Sequence, residues 1–148
     1  MSSVFDSQAF NANLFFPRGD TGSTPDNCDE IQVKVAPETS IHVRRHPSSE
    51  ARFSLLFFHG NGEIVSDYDN FAEIFNSMGA ELVIADFRGY GRSTGSPTLR
   101  ASLEDAHKIY DELKSNGKLK EKVCIMGRSL GSAPTLELCA KRSDVAGC

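Results

Sequence analysis

Three short runs along the chain are apolar almost without a break: Phe53–Phe58, the core of Glu81–Phe87, and Lys122–Met126. Runs of this length without alternation read as strands buried on both faces, as in a parallel sheet. Ahead of them, Ile31–Ala36 and Ser40–Arg45 alternate between apolar and polar positions on either side of Pro37-Glu38-Thr39, which predicts a hairpin. Between the apolar runs the period changes. Tyr68, Phe71, Ile74 and Phe75 are spaced for a helix that ends at Gly79. Ser102–Gly117 predicts a second helix, with Ser102 and Asp105 as a partial capping box, Ile109 and Leu113 on its apolar face, and Gly117 closing it. A third helix is expected from Ser129 to Ser143, and Asp144–Cys148 reads as the start of one more strand.

This alternation of buried strand and helix implies an α/β fold, a mostly parallel sheet with helices on both faces. Residues 31–148 form that domain. Residues 1–30 form a polar, amphipathic N-terminal extension in which Ala9–Phe16 is expected to pack on the domain and Pro17–Asn27 to be a loop. Arg18-Gly19-Asp20 within that loop reads as a turn. In sheets of this kind the chemistry gathers at the carboxyl ends of the strands. Three such ends are rich in glycine: His59-Gly60-Asn61-Gly62, Arg88–Gly95, and Gly127-Arg128-Ser129-Leu130-Gly131.

The last of these fits G-x-S-x-G between a strand and a helix, the context of a nucleophile elbow. A sharp strand-to-helix turn holds the serine in a strained conformation with its hydroxyl exposed. Gly127 and Gly131 lack a Cβ, so neighbouring backbone can pass close. Ser129 is therefore the candidate nucleophile. The hydroxyl then sits near a helix N-terminus, where free N–H groups favour developing negative charge. An oxyanion hole needs two such donors. The N–H of Leu130 supplies one, and the loop after an earlier strand supplies the other. There Gly60 and Gly62 let the backbone turn inward, with Asn61 the first choice of donor and Gly62 the second.

Taken in order, "LLFFHGNGE", "VIADFRGYGRSTG" and "CIMGRSLGSAP" resemble the α/β-hydrolase superfamily of serine hydrolases. More narrowly, the chain is similar to the compact intracellular esterase, thioesterase and aminopeptidase-like members, from about residue 31 onward. The resemblance implies that Ser129 is the nucleophile, that Asn61 and Leu130 are oxyanion donors, and that His59 belongs to a structural His-Gly turn. Asp86–Gly91 would be the turn after the fourth strand, with no catalytic role for Asp86 or Arg88.

The triad of this fold runs Ser, then Asp or Glu, then His along the chain. All four histidines, His42, His46, His59 and His107, precede Ser129. The carboxylates that follow it, Glu137 and Asp144, do not stand where the family's acid does. The catalytic acid and base are therefore expected to be absent, and the chain reads as the N-terminal part of a hydrolase, ending at the start of the sixth strand. Alone it is expected to be inactive or nearly so. Its sheet edge at Lys122–Met126 is expected to be open to self-association. The alternative is a non-catalytic binding or interaction module on the same scaffold.

Composition narrows the partners. A net charge of −4 over 148 residues argues against nucleic acid, which wants a basic face. No apolar run approaches the roughly 20 residues of a membrane span. The first residues lack the basic start and apolar core of a secretory signal, so a cytoplasmic location is expected. The four cysteines fit no zinc spacing, and Cys124 and Cys139 are expected to be reduced and buried. No metal or cofactor is called for. The substrate class is a small molecule or an acyl compound.

Overall fold

The computed structural model describes residues 3–148, so the first two residues of the N-terminal extension lie outside the described residues. Strands β1 (Asp29–Ala36) and β2 (Thr39–His46) form the expected hairpin, turning at Pro37-Glu38. The strands β3 (Phe53–Phe58), β4 (Ala80–Ala85) and β5 (Val123–Gly127) come from the three apolar runs. One five-stranded sheet results, in the order β1-β2-β4-β3-β5. It is mixed: β3 runs parallel to both β4 and β5, whereas β2 is antiparallel to β1 and β4.

Successive residues of a strand face opposite sides, so an unbroken apolar run needs cover on both. On one side Leu56, Phe58, Val83, Ala85, Val123 and Ile125 pack with Ala106, Ile109 and Leu113 of α3 (Leu99–Ser115) and Leu138 of α4 (Ser132–Lys141). On the other, Leu55, Phe57, Leu82 and Ile84 pack under a 3-10 segment, Val65–Phe71, and the short helix α2 (Ala72–Ser77).

Several local expectations need correction. In the segment after β3, Tyr68, Ala72 and Phe75 meet the sheet, while Phe71 and Ile74 are about half exposed. The 3-10 stretch rotates the face by tightening the first turns. Helix α3 begins one turn before the expected box. Its cap is Thr98, whose side chain accepts from the Ala101 N–H at 3.1 Å. Ser102 instead donates to Leu99 O, and Asp105 binds Arg88. Cys139 is not a reduced thiol: it forms a disulfide with Cys148, their Cα atoms 6.5 Å apart. Both lie beside the edge of β5, where α4 and the final residues meet. Cys124 is free and partly buried.

The final residues begin a sixth parallel position. The Ala146 N–H donates to Val123 O at 2.8 Å, and the Ile125 N–H to Gly147 O at 2.9 Å. The β5 edge is thus paired along Val123–Ile125.

The N-terminal residues pack on the sheet and its helices. After a 3-10 turn at Val4–Asp6, α1 (Gln8–Leu14) leads Phe15 into the core against Phe87.

Candidate active site

The elbow joins β5 to α4 through a 3-10 turn at Ser129–Gly131. Ser129 has φ 52°, the only positive φ of a non-glycine among the described residues. A side chain held there costs on the order of 1–3 kcal/mol, and such outliers collect at functional sites. The packing around the turn enforces it. A Cβ on Gly127 would fall well under 3.0 Å from Gly131 O and Thr135 Oγ1. One on Gly131 would collide with the carbonyl of Phe58, the last residue of β3. The Arg128 N–H donates to that same carbonyl at 3.1 Å. The elbow is therefore seated on the end of β3, with Ser129 exposed and its hydroxyl free of hydrogen bonds among the described residues.

The His59–Gly62 loop leaves that same strand end. Gly60 N–H donates to Glu63 Oε2 at 2.6 Å, and Tyr68 OH to the same oxygen at 2.7 Å. Arg128 pairs with Glu63 across the gap, linking the elbow to this loop. The Asn61 side chain faces away from the elbow, donating to Leu14 O at 2.6 Å. No hydrogen bond uses the backbone N–H of Asn61 or of Leu130 among the described residues. The second-choice donor, Gly62, stands at φ 75° with its N–H beside the Tyr90 hydroxyl.

His59 is fully buried. Its Nε2 lies 3.1 Å from Asp86 Oδ1 and its Nδ1 2.8 Å from Gly60 O. Asp86 also meets His42 Nδ1 at 3.0 Å and accepts from the Val65 N–H at 3.0 Å. Burial pushes the Asp86 carboxyl up, but His42, His59 and this N–H outweigh it and hold it below its usual range. Gly91 is required beside it, because a Cβ there would collide with the carboxylate. Arg88 makes a two-toothed pair with Asp105 at 2.7 and 2.8 Å. Asp86 and Arg88 thus tie loops together behind the strand ends.

The ion network continues outward. His42 also pairs with Glu30, which binds Arg44 at 2.6 Å. Burial raises the Glu30 carboxyl, but bonds from His42, Thr24 and Arg44 bring it down to about 2, against an ordinary 4.5. His42 is raised: burial alone would lower it, and the carboxylates of Asp86 and Glu30 overcome that. The signs follow by linkage. Glu30 contributes stability above its ordinary value, lost as pH falls from about 4.5 towards about 2. His42 contributes at low pH and loses its contribution as pH rises through its elevated value. The urea midpoint should therefore fall on acidification through the Glu30 window, and Glu30→Gln should flatten that fall. An acid limb unchanged in the variant would show that Glu30 carries none of it.

No imidazole reaches Ser129. His42 and His59 hold Asp86, His46 lies 3.2 Å from Cys28 Sγ, and His107 pairs with Glu137. Glu137 also pairs with Lys141, and Asp144 with Lys114. Among the described residues no three His, Cys, Asp or Glu side chains gather to hold a metal ion. Among the described residues no helix is long and apolar enough to cross a membrane.

The sequence reading missed Tyr90. This wholly buried phenol donates to Asn61 Oδ1 at 2.6 Å and accepts from the Phe16 N–H at 2.8 Å. No local pattern points across 74 residues of chain from Phe16 to Tyr90.

The family model for serine aminopeptidase, S33, matches residues 49–148. The alpha/beta hydrolase domain-containing protein aho-3 of Caenorhabditis elegans is 33% identical over 102 residues, covering 68% of this chain and 30% of that protein. Protein bem46 of Schizosaccharomyces pombe is 27% identical over 140 residues, 87% of this chain and 47% of that protein. The chain thus spans less than half the length of these relatives. Among solved structures, the CIB-like hydrolase of Thermoplasma acidophilum superposes with a TM-score of 0.60 at 27% identity, covering 81% of this chain and 60% of that one. The Pyrococcus furiosus esterase Pf2001 superposes with a TM-score of 0.73 at 17% identity, over 90% of this chain and 56% of that one, a likeness of fold.

Proposed function

Because the chain belongs to the serine aminopeptidase S33 family of α/β hydrolases, we propose that it carries the nucleophile and oxyanion hole of a serine hydrolase that cleaves ester, thioester or amide bonds. The observation that carries this reading is Ser129, held at φ 52° on the end of β5 with its hydroxyl exposed. Its Oγ attacks the substrate carbonyl while a base takes its proton. The carbonyl oxygen becomes an oxyanion that accepts from the N–H groups of Asn61 and Leu130. Collapse expels the alcohol, thiol or amine, which takes the proton back from the base. Water then releases the acyl group from Ser129 by the same steps. No cofactor enters this chemistry.

All four imidazoles are committed elsewhere, so on this reading the base that serves Ser129 is none of the histidines of these 148 residues. The 148 residues alone are then inactive or nearly so. The same commitment of every histidine favours a second reading, a non-catalytic interaction module on the hydrolase scaffold. Self-association would use what remains unpaired of the β5 edge.

Hydrolysis of a panel of p-nitrophenyl esters, an acyl thioester and an aminoacyl anilide by the full-length protein separates the two readings. Turnover lost in Ser129→Ala supports the hydrolase. Turnover unchanged in that variant contradicts Ser129 as the nucleophile, and no turnover on any substrate leaves the interaction module.

A further inference from the structure

The segment Leu14–Asp20 lies against the His59–Gly62 loop, and its contacts converge on Asn61 and Gly62. Asn61 Nδ2 donates to Leu14 O at 2.6 Å, and Asn61 Oδ1 accepts from the Phe16 N–H at 3.0 Å and from Tyr90 OH at 2.6 Å. Arg18 Nε donates to Gly62 O at 2.8 Å, and its guanidinium pairs with Asp67. The segment is itself fixed from behind. Gly91 N–H donates to Arg18 O at 2.8 Å, and Asp20 N–H donates to Gly91 O at 3.2 Å. Every polar atom of the Asn61 side chain is thus spent on the N-terminal segment and Tyr90, and its backbone N–H is left for a ligand.

We propose that Leu14–Asp20 is a strap that sets the orientation of the Asn61 N–H, with Tyr90, the Asn61 side chain and Arg18 as positioning residues for the oxyanion hole. This rests on the serine-hydrolase reading of the site. A loop rich in glycine has no intrinsic reason to hold one peptide orientation. The Gly60–Asn61 peptide that bears the Asn61 N–H has its carbonyl 2.8 Å from His59 Nδ1, and the strap fixes the residues that follow, Asn61 through its side chain and Gly62 through its carbonyl. Loss of an oxyanion donor costs about 10²–10³ in kcat, and misplacement by about 1 Å costs on the order of 10². The strap acts on the transition state, where the oxyanion develops, and not on ground-state binding.

The test uses the full-length protein with two variants. Tyr90→Phe keeps the ring against His59 and Phe87 and removes only the hydroxyl. Arg18→Gln acts on the exposed side and releases Gly62 O, so it serves if the buried variant fails to fold. For each folded variant, kcat should fall about tenfold or more with KM within about twofold, and the NMR order parameters of the Asn61 and Gly62 amides should fall while those of the strands stay high. Unchanged kcat in a folded variant, or order parameters at these two amides equal to the parent's, overturns the strap. The parent and Ser129→Ala are measured alongside. If the parent shows no Ser129-dependent turnover, the hydrolase reading fails and the catalytic role of the strap with it. If that turnover is present and Tyr90→Phe retains it in full, only the strap is rejected.

Discussion

Ser129→Gly should yield a protein that is more stable than the parent and without activity. At φ 52° a serine pays for its Cβ and a glycine does not. The gain should be about 1 kcal/mol, since glycine's larger entropy in the unfolded chain offsets part of the relief. Nothing opposes it, because the Ser129 hydroxyl has no hydrogen bond within the described residues to lose. Removing the nucleophile should lower kcat by on the order of 10⁶, as triad members act as a unit. Urea denaturation and a turnover assay on one preparation of the full-length protein check both halves. A variant less stable than the parent would mean that the hydroxyl holds the turn together and that the strain argument is wrong.

Gly131→Ala should be strongly destabilising, because its new methyl meets main-chain atoms. The new Cβ would lie well under 3.0 Å from the Phe58 carbonyl and 2.8 Å from His59 O. Both are main-chain atoms at the end of a central strand, so neither can step aside as a side-chain tip could. Either β3 separates from the elbow or α4 moves out. Overpacking of this kind costs about 3 kcal/mol or more. Gly117→Ala provides the contrast. Gly117 has φ 65° with nothing within 4 Å, so its replacement meets only the conformational penalty, about 1 kcal/mol. Equal losses at the two sites, read from denaturation midpoints, would show that close packing is not what selects glycine at the elbow.

The two levels of organisation were unequally legible. The three central strands show in the sequence because burial on both faces leaves no room for polar positions, and the hairpin shows because β1 and β2 alternate. The elbow is legible because its constraint is local: Gly127, Ser129 and Gly131 lie within one turn. What the sequence hid is set by partners far along the chain. The Ser102 and Asp105 capping signal was overridden because Arg88 claims Asp105 and Thr98 caps one turn earlier. The apolar stripe of Phe71 and Ile74 was misread because a 3-10 segment replaces the expected α-helical turns. Cys139 was read from its own helix alone, whereas its partner Cys148 arrives on the next strand position. The clamp on Asn61 joins Leu14, Phe16 and Tyr90, and no spacing rule brings those three together.

The hydrolase reading and the strap both depend on Ser129 being a nucleophile. The most direct measurement is labelling of the full-length protein with a fluorophosphonate, followed by mass spectrometry of the modified peptide. A single phosphonyl adduct on Ser129, absent from Ser129→Gly, is the expected result. A native, folded protein that takes no label, or takes it at another residue, would contradict the assignment.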